Sequence, residues 1–173
     1  MAANIEIKAR CGDSDLIRAR LNQLGVMTEG LDDQTDTFFD VPRGRLKLRE
    51  SRLHGNYLIP YWRPDQHEAK QADYVLLPVT DVKACKELLS RMFGIKGVVK
   101  KQREVYLHQN VRIHLDEVQD LGSFIELEAV MQEENSLEAN QQKIAEMIRL
   151  LDIRSADLIA GAYLDLLSGT DKG

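Results

Sequence analysis

The sequence is poor in cysteine and has no long apolar run, and each absence excludes a class of protein. Its two cysteines, Cys11 and Cys85, have no metal-ligand spacing and are too few for a disulfide framework, as is usual in a reducing compartment. No stretch of about 18 uncharged apolar residues predicts a transmembrane helix, and residues 1–10 lack the apolar run of a signal peptide. We therefore expect a cytoplasmic protein with no membrane partner.

The sequence also lacks a basic excess and the local motifs of several enzyme classes. With 23 Lys and Arg against 28 Asp and Glu, the net charge is −5, which argues against a nucleic-acid partner. It contains no glycine-rich phosphate loop, no Ser-His-Asp order and no zinc-ligand spacing. A negative net charge does not exclude a local basic pocket, because the 23 basic residues can cluster in one part of the fold.

The chain of 173 residues, 43% apolar and 29% charged, predicts one globular domain over residues 1–173. Turn residues separate eight predicted strands: 4–11, 34–41, 44–51, 56–63, 73–79, 97–107, 111–118 and 123–131. Helical periodicity predicts four helices: 13–25, 81–94, 136–153 and 155–169. Residues 64–72 predict a polar loop. Because most strands follow one another without a helix between them, we expect an antiparallel, strongly curved or closed sheet of the α+β class.

At least six of the predicted strands alternate charged and apolar side chains. In residues 4–10, for example, Glu6, Lys8 and Arg10 share one face of the strand, and apolar residues share the other. A single strand of this kind usually has its charged face in water. Amphipathic helices, however, need an apolar sheet face to cover. Six such strands therefore favour a closed or nearly closed eight-stranded barrel with the helices outside and a charged lumen.

The charged faces define a candidate site. Their basic residues are Lys8, Arg10, Arg45, Lys47, Arg49, Arg63, Lys101, Arg103 and Arg112. Their acidic residues are Glu6, Asp116, Glu126 and Glu128. Confined cations repel one another unless a polyanion lies among them, and Lys and Arg bind phosphate oxygens well. The carboxylates suit a divalent cation, Mg²⁺ or Mn²⁺, shared with substrate phosphates. The pattern predicts a metal–polyphosphate site.

Several short motifs follow one another in a recognisable order. They are "NIEIK" at 4–8, "QTDTFFD" at 34–40, "LKLRE" at 46–50, "KQR" at 101–103, "HLDEV" at 114–118 and "GSFIELE" at 122–128. The series resembles the CYTH family, or triphosphate tunnel metalloenzymes, which includes class IV adenylyl cyclases and thiamine triphosphatases. "AYLDLL" at 162–167 is similar to the family's C-terminal helix. The resemblance implies an eight-stranded antiparallel tunnel that binds a triphosphate group with Mg²⁺ or Mn²⁺.

The resemblance also implies roles for individual residues. Metal binding is expected of Glu6, Glu126 and Glu128, with Asp116 nearby. Phosphate binding is implied for Lys8, Lys47, Arg49, Lys101 and Arg103, and we expect it also of Arg10, Arg63 and Arg112 from their places on the charged faces. Lys8 is the candidate catalytic base, and Glu6 is the second catalytic candidate. Asn4 stands where the family signature has a carboxylate, which predicts a weaker metal site and questions a two-metal mechanism.

Three functions remain open at this point. The first is metal-dependent hydrolysis of inorganic triphosphate, thiamine triphosphate or a nucleoside triphosphate. The second is cyclisation of ATP by a class IV-type adenylyl cyclase. The third is a nucleotide- or polyphosphate-binding module without catalysis, which Asn4 motivates. In each case the expected partner is a small triphosphate compound, and the expected state is a monomer or a homodimer.

Two further side-chain types have open roles. His114 shares the face of Arg112 and Asp116, so lining the pocket and a structural role are equally open. Tyr61 and Trp62 can stack on a base or a thiamine ring, although packing in the core or at the rim is the favoured interpretation.

Overall fold

The computed structural model describes residues 1–132 and 136–169. Nine strands occur in these ranges: β1 (Ala2–Arg10), β2 (Thr28–Phe39), β3 (Arg45–Ser51), β4 (Tyr57–Trp62), β5 (Lys70–Tyr74), β6 (Leu77–Pro78), β7 (Ile95–His108), β8 (Val111–Val118) and β9 (Gly122–Val130). The α-helices are α1 (Ser14–Gln23), α2 (Val82–Phe93), α3 (Leu137–Leu151) and α4 (Tyr163–Leu167). Among the described residues, no helix is long and apolar enough to span a membrane.

Eight of the strands close into an antiparallel barrel. Their order is β3-β2-β7-β8-β9-β1-β5-β4, and β4 pairs back onto β3. The short strand β6 continues β5 along the same edge of β4 and in the same register, while β3 occupies the other edge of β4. The predicted α+β fold with a closed eight-stranded barrel and helices outside is therefore confirmed.

The apolar faces of the barrel strands point outward to the helices. Ile5 and Ile7 of β1 belong to the largest buried cluster, together with side chains of β8, β9, α1 and α3. A smaller cluster lies between β2, β3 and α2 around Phe39, Leu48 and Leu89. Each fully buried aliphatic or aromatic side chain stabilises the fold by about 1.5–3 kcal/mol. This outer core leaves the charged faces of the same strands to form the lumen.

One end of the lumen is filled by apolar side chains. Phe38, Val99 and Phe124 lie on the inward faces of their strands and are buried with Tyr163 and Leu164 of α4. β7 approaches α4 closely at Gly97, where a Cβ atom would overlap the side chain of Leu164. The barrel is therefore closed at this end and keeps its polar space at the other.

The C-terminal segment differs from the sequence prediction. Residues 155–169 were expected to form one helix, but only a 3₁₀ turn at Ser155–Asp157 and the short α4 are helical. Between them, Leu158 forms a β-bridge with Ala9, and the backbone N–H of Ile159 donates to the carbonyl oxygen of Lys8 at 2.8 Å. The helix predicted from apolar periodicity is therefore wrong here, because the end of β1 binds the backbone of Leu158 and Ile159 in an extended form.

The predicted loop at 64–72 also differs from the structure, since its last residues belong to β5. Lys70 is 2% exposed, and its Nζ donates to the carbonyl oxygens of Gln66 at 2.7 Å and Ala160 at 3.0 Å. A polar sequence thus contributes a buried lysine to a strand, because one nearby and one distant carbonyl group bind its ammonium group. The strand predicted at 73–79 corresponds to the end of β5 and to β6.

Candidate functional site

The barrel encloses a cavity of about 440 Å³, within the usual range for small-molecule sites. All eight barrel strands contribute to its wall. The described basic residues of the wall are Lys8, Lys47, Arg49, Arg63, Lys101, Arg103 and Arg112. Other charged or titratable residues of the wall are Glu6, Glu29, Asp36, His54, His114, Glu126 and Glu128. Most of the residues assigned to the charged faces therefore meet in one cavity, whereas Arg10, Arg45 and Asp116 do not line it.

Strand register places opposite charges side by side in the lumen. Lys8 on β1 lies directly opposite Glu126 on β9, and Nζ is 3.1 Å from Oε1. Residues directly opposite each other in an antiparallel pair share a face, which brings their side chains into contact. Arg103 Nη2 reaches the other oxygen of Glu126 at 2.5 Å. Glu126 thus joins β1, β7 and β9 at the centre of the wall.

Asp116 lies beneath Arg103 instead of on the open wall. Nε and Nη2 of Arg103 donate to its two oxygens at 2.6 Å each, and the hydroxyl of Tyr163 donates at 2.7 Å. Lys101 Nζ is 3.2 Å away. Burial opposes ionisation, yet Arg103 and Lys101 hold the pKa of Asp116 well below its usual range. The sequence predicts Asp116 beside the metal, but Asp116 does not line the cavity. Its hydrogen bonds instead hold the guanidinium group of Arg103 in place.

Asp36 is a wall residue that the sequence reasoning missed. It accepts hydrogen bonds from Lys47 Nζ at 3.0 Å, Arg49 Nε at 2.8 Å and Arg49 Nη2 at 2.7 Å. Burial raises its pKa, but Arg49 and Lys47 outweigh burial and keep the pKa well below the usual value. Gln34 and Phe38 lie on the same face of β2, so strand alternation contained the signal that could have identified Asp36.

Two lysines of the wall are buried close to arginine side chains. Burial, followed by the charge of Arg49, lowers the pKa of Lys47 to about 8. Burial, followed by the charge of Arg103, lowers the pKa of Lys101 to about 7. Asp36 and Asp116 oppose these shifts without cancelling them. Both lysines therefore lie where an additional anion would restore their charge.

Binding of tripolyphosphate at pH 8 should take up about one proton, because the polyanion raises the pKa values of Lys47 and Lys101 and so protonates both. Since the protonated lysines bind better, affinity should fall as the pH rises from 7 to 9. Calorimetry in two buffers with different ionisation enthalpies measures the uptake directly. Identical binding enthalpies in both buffers would contradict this prediction.

Three side chains of the wall lie close enough to share a metal ion. Ligand atoms of His114, Glu126 and Glu128 all lie within 4.8 Å of one another. Glu6 lies directly opposite Glu128 across β1 and β9. Burial raises the pKa of Glu6, and the nearby Glu126 raises it further, while Arg63 Nη1 donates to it at 2.8 Å. Carboxylates that face one another in a confined site repel, and a divalent cation bound between them removes this repulsion.

Several buried polar atoms of the described wall residues have no hydrogen-bond partner, among them Oδ1 of Asn4 and Nδ1 of His114. Both residues line the cavity. Carboxylate and amide oxygens are ligands of hard cations, and imidazole nitrogen is a ligand of transition metals. The donor set therefore fits the Mg²⁺ or Mn²⁺ expected from the sequence.

Replacing Asn4 with Glu should strengthen metal binding and weaken the metal-free fold. The new carboxylate would join Glu6 and Glu128 on the wall, which destabilises the free protein by about 2 kcal/mol. Thermal unfolding with and without Mn²⁺ tests this, with Asn4→Gln as the neutral control. The prediction fails if Mn²⁺ stabilises Asn4→Glu no more than Asn4→Gln.

Three predicted phosphate-binding arginines lie in different surroundings. Arg63 is on the wall and contacts Glu6, and Arg112 is on the wall 3.7 Å from Glu128. Arg10 is exposed near the closed end, its guanidinium 5.4 Å from the ring of Phe124, and it does not line the cavity. The structure thus separates Arg10 from the other predicted residues, because β1 has already passed the apolar end of the lumen at this position.

Comparison with known proteins identifies the family of this charged barrel. The CYTH domain family model matches residues 2–163, so the chain belongs to the CYTH domain family, as the motif order indicated. MJ0240 of Methanocaldococcus jannaschii, which carries an adenylate cyclase name, is 25% identical over 170 residues, or 94% of this chain and 97% of that protein.

Two solved structures are similar to this fold. PH1012 from Pyrococcus horikoshii is 26% identical and has a TM-score of 0.84, covering 94% of this chain and 98% of its own. An adenylyl cyclase-named protein from Hippeastrum, described as having a dominant triphosphatase activity, is 14% identical and has a TM-score of 0.64. That alignment covers 96% of each chain. At this lower identity the similarity concerns the fold alone.

Proposed function

We propose that the protein hydrolyses a small triphosphate compound in the barrel lumen with the help of a divalent cation, Mg²⁺ or Mn²⁺. The observation that carries the proposal is the composition of one confined wall, where seven basic side chains surround closely spaced carboxylates. A polyanion compensates the basic side chains, and a divalent cation compensates the carboxylates. A triphosphate bound together with its metal provides both.

Four basic residues, Lys47, Arg49, Lys101 and Arg103, form what we call the phosphate clamp. Asp36 holds Arg49 through two hydrogen bonds, and Asp116 holds Arg103 in the same way. Fixed guanidinium groups bind phosphate oxygens without reorganising during the reaction, which favours the transition state. The clamp therefore supplies positioning and charge stabilisation, which phosphoryl transfer mainly requires.

The metal would be held by Glu6, Glu126 and Glu128, with Asn4 and His114 as neutral neighbours. A bound divalent cation polarises phosphate oxygens and makes a coordinated water more acidic. In the proposed reaction, water attacks the terminal phosphorus and loses a proton to solvent, and the bond from that phosphorus to the bridging oxygen breaks. Inorganic phosphate and the remaining diphosphate chain are the products, and the clamp would stabilise the negative charge that develops on the bridging oxygen of the departing diphosphate.

Lys8 is assigned to phosphate binding in this proposal. Its Nζ lies 3.1 Å from Glu126 and 4.1 Å from the centre of the Tyr163 ring. An ammonium group held between a carboxylate and an aromatic face is positioned to contact a phosphate oxygen, and these contacts support the binding role.

The test is phosphate release from tripolyphosphate, thiamine triphosphate and ATP, each with Mg²⁺, Mn²⁺ or a chelator. Metal-dependent release from at least one substrate supports hydrolysis and identifies the substrate class. Tight calorimetric binding of tripolyphosphate without turnover of any substrate would replace hydrolysis with the binding-module function.

Adenylate cyclisation is the second candidate, and aromatic side chains on the wall favour it. Tyr57, Tyr61 and Tyr74 line the cavity, and tyrosine rings can stack on a nucleobase. Trp62, by contrast, is 47% exposed and points away from the lumen. The M. jannaschii relative carries the corresponding name. Chromatography of the products from ATP and Mn²⁺ separates the two reactions, because cyclisation yields cyclic AMP and diphosphate, and hydrolysis yields no cyclic nucleotide.

A further inference from the structure

His114 is the only described histidine that is both buried and on the lumen wall. It lies on β8 directly opposite Glu126 of β9, and the residue is 5% exposed. Its Nδ1 makes no hydrogen bond of good geometry with any described residue, and its nearest polar contact is a long one to Glu126. Buried polar atoms in folded proteins are nearly always satisfied, so an orphan of this kind calls for a ligand or ion.

The surroundings of Nδ1 indicate what that partner is. Nδ1 lies 3.5 Å from Glu126 Oε2 and 3.8 Å from Glu128 Oε1. These separations are too long for good hydrogen bonds. An unprotonated Nδ1 would instead direct its lone pair at two carboxylates. A cation placed between the three atoms removes this repulsion and satisfies all of them.

The distances also fit one metal ion. Two ligand atoms that each lie about 2.1 Å from a metal are about 3.0–3.5 Å apart at tetrahedral or octahedral angles. The two distances from Nδ1, 3.5 and 3.8 Å, are at or slightly above this range, and the ligand atoms of all three residues lie within 4.8 Å of one another, so the side chains would close around the ion. Lys8 and Arg103 contact the two oxygens of Glu126. A bound phosphate chain should attract both cations, which would leave these oxygens available to the metal.

We propose that His114 supplies a nitrogen ligand to the lumen metal, so that the site selects a transition metal such as Mn²⁺ or Co²⁺ over Mg²⁺. Imidazole binds first-row transition ions well, whereas Mg²⁺ prefers oxygen ligands and retains its water. The inference rests on the metal site of the proposed function and adds the identity of one ligand and the class of ion.

The test is the electron spin echo spectrum of the full chain with Mn²⁺ and the non-hydrolysable methylene analogue of tripolyphosphate. Nitrogen coupling to Mn²⁺ is expected in the wild type and in His108→Asn, whose position lies outside the cavity wall. The coupling should be lost in His114→Asn. In the same variant, affinity for Co²⁺ should fall at least about 10-fold while affinity for Mg²⁺ changes little.

The wild-type spectrum decides the matter even if His114→Asn does not fold. Mn²⁺ bound with oxygen coupling only would overturn the nitrogen ligand, as would the absence of bound Mn²⁺. Phosphate release measured separately distinguishes the two proposals. Turnover with an oxygen-only site leaves the proposed function in place, and nitrogen coupling without turnover leaves the metal site in place and removes hydrolysis.

Discussion

Replacing Glu126 with Gln is expected to lower metal-dependent phosphate release by at least about 100-fold. Glu126 is shared by Lys8 at 3.1 Å and Arg103 at 2.5 Å, and it belongs to the three-residue metal group. Gln keeps the shape of the side chain but removes the charge that a divalent cation requires. The initial rate with tripolyphosphate and Mn²⁺ measures the loss.

The same variant separates metal binding from phosphate binding. Removal of one negative charge leaves Lys8 without its carboxylate partner and leaves Arg103 with Asp116 alone. Glu126→Gln should therefore bind tripolyphosphate at least as tightly as the wild type when no metal is present. Glu117→Gln is the matched control, because Glu117 is exposed on the neighbouring strand β8. Wild-type turnover in Glu126→Gln would contradict the role assigned to this carboxylate.

Replacing Arg103 with Met is expected to destabilise the protein by about 3–5 kcal/mol, because it leaves buried carboxylates without their main partner. Asp116 has no exposed side-chain surface, and Arg103 makes two hydrogen bonds to it. For a chain of this size the thermal midpoint should fall by about 10 °C. Affinity for tripolyphosphate should fall as well, since the phosphate clamp loses one guanidinium.

Arg18 offers a matched control for this second prediction. It makes a similar two-pronged contact with Glu104 on the outer surface, but its side chain is 40% exposed. Ion pairs of this kind contribute about 0–1 kcal/mol. Arg18→Met should therefore change stability little and tripolyphosphate affinity not at all. Equal destabilisation by both variants would show that the Arg103–Asp116 pair has no special energetic role.

The inward placement of Glu6, Lys8 and Glu126 could be predicted because it depends only on local alternation. Side chains of a strand alternate with period 2 whatever the neighbouring strand is. The apolar faces then required the helices to lie outside, and closure with a charged lumen followed. Asp36 was accessible by the same reasoning, since it shares a face with Gln34 and Phe38.

The position of Asp116 could not be predicted in this way. Alternation places it on the inward face, but its contacts depend on the register between β7 and β8, which sets it directly opposite Arg103. Tyr163 then covers it from a segment that lies 47 residues away in sequence. Contacts between residues this far apart in sequence cannot be read from the local residue pattern.

Two other differences have the same physical origin. Leu158 and Ile159 lie in a run whose apolar spacing suits a helix, yet a bridge to Ala9 and a hydrogen bond to Lys8 hold them against the end of β1. Lys70 lies in a polar run, yet carbonyl groups of Gln66 and Ala160 bury it. In both cases tertiary hydrogen bonds override a local preference.

The most direct test is a crystal structure with Mn²⁺ and the methylene analogue of tripolyphosphate, in which anomalous scattering locates the metal. We predict the phosphate chain inside the barrel among Lys47, Arg49, Lys101 and Arg103, with Mn²⁺ between that chain and the carboxylates of Glu126 and Glu128. An anion bound on the outer surface, or a lumen without Mn²⁺, would contradict a metal–triphosphate site in this barrel.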